Sequence, residues 1–337
     1  MVENRAERQI LRGTREGGKT YSFDDEHDKR KPAQRWFQSS HEGDIFFLVF
    51  YSQACRWSKC LGCNLPSKCS QFHIDYEALM AQVDHAFSDE ELLARSDSVR
   101  KVILSNNGSM LDEATFSSTA LMYLLARMNM HLPHVTILTF ESRPEYVDIA
   151  ELEMMSRTLK EGGTETQLEI AIGLEAYDER IRNEAFRKGL DLDVLERLAA
   201  DLAPYKFRLK CYVMQKPVPG MSDAEAVEDV RQAIDYLGKV ASRHGVEINV
   251  HVNPTYVSSG TPLAESFERG EYVPPRLMDV AQAAKHARDK DVSVFLGLYD
   301  EGLAVEGGSF MRPGDEGLVA RLEEFNRTQD FNILDRL

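Results

Sequence analysis

The chain has 337 residues, 43% hydrophobic and 28% charged, the balance of a folded globular protein whose core needs no disulfide support. Lys and Arg number 40 against 55 Asp and Glu, a net charge of −15, which excludes a general nucleic-acid or membrane-surface binder because both need a cationic face. The charge is uneven: residues 1–40 hold nine basic and seven acidic side chains, or +2, and the rest of the chain therefore carries −17.

Residues 1–40 read as a polar, mostly irregular lead-in with charge runs such as Asp24-Asp25-Glu26 and Lys29-Arg30-Lys31. No apolar run follows the acidic start, so no signal peptide is expected. The longest apolar stretch, Ile45 to Tyr51, falls far short of the ~20 residues a membrane helix needs. Both features lead to the expectation of a cytoplasmic protein with no membrane partner. From residue 41 strand-like and helix-like segments alternate. Strands are expected at 45–51, 101–105, 135–140, 168–174, 207–214 and 247–252, and helices at 75–95, 112–129, 144–160, 191–203, 222–243 and 276–289. Ser142 before Pro144 reads as a helix cap, Asp191 as another, and Ser222-Asp-Ala-Glu as a capping box. The βα rhythm implies a mostly parallel sheet with right-handed crossovers, either an open doubly wound sheet or a partly closed barrel. No long internal repeat, low-complexity tract or linker divides it. The expected organisation is a 1–40 extension, a 41–300 core and a 301–337 C-terminal extension closed by a helix at 315–327.

In such folds the site forms where strands end. The first strand runs into Cys55-Arg56-Trp57-Ser58-Lys59-Cys60-Leu61-Gly62-Cys63, a C-x4-C-x2-C loop that holds three of the five cysteines. The next strands end in Ser105-Asn106-Asn107-Gly108-Ser109, Glu141-Ser142-Arg143 and Gly173-Leu174-Glu175, and the last two reach Lys216 and Asn253. Reduced thiols bunched on one loop are metal ligands more often than crosslinks. Three of them suit a [4Fe–4S] cluster with one iron left open to a substrate or cofactor. The competing reading is structural zinc with Cys69 as fourth ligand, in a binding or scaffold protein without radical chemistry. Cys69 otherwise reads as a spare thiol and Cys211 as core packing. No H-E-x-x-H, P-loop or G-x-S-x-G competes.

A three-cysteine loop after the first strand of a βα series resembles the radical S-adenosylmethionine (SAM) superfamily. The stretches Asn107–Asp112, Glu141–Glu145, Gly173–Glu175, Arg187-Lys188-Gly189, Lys216-Pro217, Asn253-Pro254-Thr255 and Arg269–Pro275 resemble, in order, the branch of the archaeosine synthase radical SAM subunit and the radical SAM domain of the elongator catalytic subunit. The first cysteine gap is one residue longer than the superfamily's commonest C-x3-C-x2-C, and Gly62 stands where an aromatic or large residue is frequent. The resemblance implies a partial (β/α)6 TIM-like barrel and an enzyme that reductively cleaves SAM to a 5′-deoxyadenosyl radical. It implies Cys55, Cys60 and Cys63 as cluster ligands. It places Asn107, Gly108, Ser109, Glu141, Ser142, Arg143, Gly173 and Glu175 around SAM, and Lys216 and Asn253 at the substrate. A one-electron reductant such as flavodoxin or ferredoxin is then required. The substrate is a modified nucleoside or tRNA base, or a related small molecule. At −15 any tRNA arrives through a partner protein or through the basic clusters Arg5–Arg15 and Lys29–Arg35.

Overall fold

The computed structural model describes residues 5–337. It begins with helix α1 (Arg5–Glu16) and strand β1 (Gln34–Ser40), two ordered elements inside the lead-in that the sequence pattern leaves irregular. A short turn returns β1 antiparallel along β2 (Gly43–Val49), with Ser40 opposite Gly43. The pattern is missed because Gln34–Ser40 alternates around only two large apolar residues, Trp36 and Phe37.

The chain then follows the βα rhythm. Helices α2 (Tyr76–Phe87) and α3 (Glu90–Arg95) lead to β3 (Val99–Ser105), α4 (Ser118–His131) to β4 (Ile137–Ser142), and α5 (Ile149–Glu161) to β5 (Gln167–Glu175). Helix α6 (Leu192–Leu202) precedes β6 (Arg208–Gln215), α7 (Asp223–His244) precedes β7 (Ile248–Pro254), and α8 (Pro262–Glu268) and α9 (Leu277–Ala284) precede β8 (Ser293–Leu296). Helices α10 (Glu316–Thr328) and α11 (Phe331–Asp335) end the chain. The expected capping box is present at Ser222 and starts α7, the longest helix. The expected cap at Ser142 is not: Ser142 ends β4, and Asp148 caps α5 by accepting from Ala150 and Glu151.

All eight strands form one sheet in sequential order, and every neighbour after β1–β2 is parallel. Its outer face packs under the helices in the main core, through residues such as Leu104, Leu138, Ile170, Cys211 and Val250. The inner face alternates with it. The sheet curls, because Glu42 on the β1–β2 turn pairs with Lys101 on β3 (2.7 Å) and with Arg208 on β6, and Lys101 meets Glu169 on β5 at 2.6 Å. This ionic cluster forms the floor of a half-barrel whose strand C-termini make the opposite rim. The gap between edges β1 and β8 is spanned by α10. Asn326 bonds the N–H and C=O of Leu296 (2.8 and 2.9 Å), and Gln329 does the same to Val294 (3.0 and 2.7 Å), so two side-chain amides stand in for a ninth strand. Among the described residues no helix is long and apolar enough to cross a membrane.

Candidate functional site at the strand C-termini

The cysteine loop leaves β2 and is tied off at its base, where Ala54 N–H donates to Ser70 O (2.9 Å) and Ser70 N–H to Ser52 O (3.0 Å). Within it the Cys63 N–H turns back to Cys60 O at 3.2 Å. Cys55, Cys60 and Cys63 are unbridged and partly exposed, whereas Cys69 is buried behind the loop. The Cys69 thiol faces the carbonyls of Asn106 (3.6 Å) and Leu65 (3.7 Å) and packs with Ile10 and Ala54. Burial raises the Cys60 thiol, and burial followed by the charge of Cys60 pushes Cys63 up to about 12, so these sulfurs keep their protons until a metal displaces them. Among the described residues no three His, Cys, Asp or Glu side chains draw together closely enough to hold a single metal ion.

Each side of the loop is gripped by another element. Arg56 makes a bidentate pair with Asp112 (2.6 and 2.7 Å) and donates to Gln9. Trp57 Nε1 donates to Arg187 O at 2.8 Å, and Leu61 N–H to Phe186 O at 2.8 Å, both in the loop after β5. Ser258 Oγ donates to Gly62 O at 2.8 Å. Lys19, just past α1, sends its ammonium to the carbonyls of Cys60, Leu61 and Cys63. Burial lowers the Lys19 pKa, and the Cys63 and Cys60 sulfurs oppose that shift.

Most of the other expected residues lie near this loop. A Cβ on Gly108 would sit 3.3 Å from Cys55, a tight contact, so glycine eases the close approach of the 107–109 backbone to that cysteine. Asn107 adopts φ +56°, and the buried Ser109 Oγ and Asn106 Oδ1 have no partner. These unsatisfied atoms beside Cys55 fit a bound polar group, and three unbridged thiols on one loop fit a cluster with a vacant iron. Glu175 leaves the sheet through a register shift after Gly173, at φ +71°, and pairs with Lys188 at 2.7 Å. That pair occupies the space above Gly173, where a Cβ would lie 2.1 Å from the carboxylate. Burial works against the Lys188 charge, but Glu175 and Cys60 leave its pKa raised.

Three expectations meet a different geometry. Arg143 spends its donors on Glu145 (2.5 Å) and the carbonyls of Lys188 and Gly189, with its guanidinium 4.5 Å from the Trp57 ring, so it braces the cysteine loop. Lys216 is turned to Asp223 at the start of α7 (2.7 Å) and so does not aim a free cation into the mouth. Ser142 donates back to the Arg143 carbonyl. Asn253 does reach the inner face, over Gly297 and beside His251.

On the inner face the expected Glu141 is joined by side chains that the motif reading passes over. Glu141 receives the hydroxyls of Tyr212 and Ser105, which lower its pKa, but burial dominates and raises it. Beside Tyr212 stands His251, with an unpartnered Nδ1 and a pKa far below the usual imidazole value because it is buried near Lys210 and Lys101. Glu301, paired with Tyr256 at 2.8 Å, is pushed up to about 7 by burial. The signal was available in the strands, since Lys210/Tyr212 and Asn249/His251/Asn253 put polar groups at every second position of buried segments.

No family model matches the chain. Among curated proteins it is 23% identical over 320 residues to an uncharacterised protein of Methanocaldococcus jannaschii, covering 91% of this chain and 84% of that one. It is 28% identical over 244 residues to archaeosine synthase subunit beta of Methanosarcina acetivorans, covering 72% of this chain and 66% of that protein's length. Among solved structures it is similar to the Elp3 of Methanocaldococcus infernus lacking residues 1–46, at 18% identity and a TM-score of 0.44, over 65% of this chain and 51% of that one. The archaeosine synthase relative agrees with the resemblance carried by the motifs.

Proposed function

We propose, from the premise that this chain is an enzyme of the radical SAM superfamily, that Cys55, Cys60 and Cys63 hold its [4Fe–4S] cluster and that SAM binds beside them against residues 107–109. The observation that carries this reading is the loop of three unbridged cysteines at the rim of the half-barrel, gripped from α1, the loop after β5 and the loop after β7. Cys55, Cys60 and Cys63 would hold the cluster, and the chemistry it would supply there, given an external one-electron donor such as flavodoxin or ferredoxin, is reductive cleavage of SAM to methionine and a 5′-deoxyadenosyl radical able to take hydrogen from substrate. The chain's own part is positional. Gly108 allows the close approach, Ser109 and Asn106 offer polar atoms, and Glu175 with Lys188 lines the next sector of the rim. On the inner face, Glu141, Tyr212, His251 and Asn253 orient the substrate, in a lumen shut from water at its floor by the Glu42–Lys101–Glu169 cluster. Anaerobic reconstitution with iron and sulfide, then dithionite and SAM, is expected to give a brown protein that releases 5′-deoxyadenosine, and Cys60→Ala is expected to abolish release. A protein that takes up zinc but no iron establishes the scaffold reading instead.

The substrate we infer is a modified nucleoside presented in RNA. The curated relative is named for archaeosine synthase, and one surface of this acidic chain is cationic: Arg5, Arg8, Arg12 and Arg15 are all exposed along one side of α1, while Ala6, Ile10 and Gly13 bury the other. The buried side of α1 lies on the cysteine loop, so the stripe faces outward, and phosphates held on it would lie one helix width from that loop. Neutralising the four arginines to Gln is expected to weaken tRNA binding and flatten its dependence on salt. A binding curve identical to the parent's across salt concentrations refutes docking at α1.

A further inference from the structure

The geometry assigns Lys19 a role beyond packing: we propose that it is a positioning residue that sets the shape of the cysteine loop and, through its fixed charge, raises the reduction potential of the cluster held there. The second half rests on the cluster reading above; the first does not.

Lys19 is 9% exposed, and its Nζ donates to Cys60 O at 2.5 Å, Leu61 O at 2.9 Å and Cys63 O at 2.9 Å. An ammonium has three protons, and all three are spent within the four residues of the C-x2-C turn. A neutral amine has only two, so this arrangement calls for the charged form. No carboxylate pairs with Lys19 among the described residues. Carbonyl dipoles orient the ammonium without cancelling its charge, so the charge remains directed at the loop. A cluster's potential follows its net charge and the hydrogen bonds and charges around it, and a nearby cation favours the reduced, more negative state.

The lysine is held in place by the seat of α1. Gly13 and Gly17, one turn apart, lie directly on the loop: a Cβ on Gly13 would be 2.3 Å from Trp57 O, and one on Gly17 would be 2.9 Å from Ser58 O. Along the seam Lys59 pairs with Glu16 at 2.6 Å and Arg187 donates to Glu16 O at 2.9 Å. Past Lys19, the Thr20 N–H donates to Gly260 O at 3.1 Å. The lead-in is thus a clasp over the cysteine loop, closed by a lysine.

The test compares the parent, Lys19→Gln, Lys19→Arg and Gly13→Ala. In the metal-free proteins, hydrogen exchange at the Leu61 and Cys63 amides is expected to quicken about tenfold in K19Q and G13A and less in K19R, with amides of the sheet unaffected. Unchanged exchange at these amides overturns the clamp. Should K19Q fail to fold, G13A decides the same question, because it lifts α1 while leaving the lysine intact. In reconstituted proteins of equal iron and sulfide content, a redox titration followed by electron paramagnetic resonance is expected to shift the reduced-to-oxidised ratio of K19Q about tenfold towards oxidised at a given potential. That shift is about 59 mV for a one-electron couple. K19R is expected to stay within twofold of the parent, and equal potentials in K19Q and parent overturn the electrostatic half. A parent that takes up no iron overturns the cluster reading alone, because the exchange result still judges the clamp.

Discussion

Lys210 shows how the inner face departs from an ordinary core. It sits on β6 with its ammonium 5.6 Å from the Tyr212 ring and 5.5 Å from the Phe295 ring, and that ammonium makes no hydrogen bond among the described residues. Burial, followed by the charge of Lys101, lowers its pKa to about 8 from 10.5. At pH 7 both folded and unfolded chains hold the proton, so the folded state bears the full cost of burying it. Between pH 8 and 10.5 the unfolded chain holds a proton that the folded chain has released, and stability rises with pH. Lys210→Met is therefore expected to be more stable than the parent by about 3 kcal/mol at pH 7, with the gain shrinking towards pH 10.5. Urea titrations at pH 7 and 10 measure it, and a difference that does not vary with pH contradicts the prediction. A charge kept at such a cost in a tier with Tyr212 and His251 is what a substrate-facing surface requires, and no packing argument accounts for it.

At the scale of elements, the informative piece is α10. Edge strand β8 is only four residues long, and its outer N–H and C=O groups would otherwise lie open to pairing with another chain. Asn326, 3% exposed, satisfies both polar groups of Leu296. Asn326→Leu keeps the bulk and leaves one donor and one acceptor buried without partners, at about 1–3 kcal/mol each. The variant is expected to lose about 2–6 kcal/mol in urea unfolding, and to self-associate more than the parent, as sedimentation would record. Unchanged stability would mean that water or a rearranged backbone replaces the amide.

Across the whole molecule, the floor of the half-barrel binds elements that are far apart in the chain. Glu169 is fully buried on β5 and meets Lys101 from β3 at 2.6 Å, Arg208 from β6 at 3.6 Å and the Thr139 hydroxyl from β4 at 2.8 Å. Burial alone would raise its pKa, but Lys101, Lys210 and Arg208 bring it below the ordinary value, so the carboxylate stays charged. Removing one member of such a set strands the others: Glu169→Gln is expected to cost about 3–5 kcal/mol. Replacing Lys101 and Glu169 together by Met is expected to cost less than the two single changes combined. Denaturant melts of the two single variants and the double test this, and strict additivity would show that the charges act independently.

Alternation of β-branched runs with helical periods was enough to give the βα order, and β2 to β7 fall within two residues of where the pattern puts them, because those segments bury apolar side chains whatever their neighbours. The cysteine loop was equally legible, since three thiols in nine residues are local information. The sequence could not show which polar side chains are already spent. Arg143 and Lys216 look like free cations at strand ends, yet one braces Trp57 and the other holds α7, and these partners lie 2 to 86 residues away. Nor could it show that a polar lead-in folds into a clasp, because α1 gains its stability from two glycines set on a loop about 40 residues downstream. Local pattern determined the scaffold and the thiols; tertiary contact decided which charges are free, because an ion's role depends on the partner that folding brings to it.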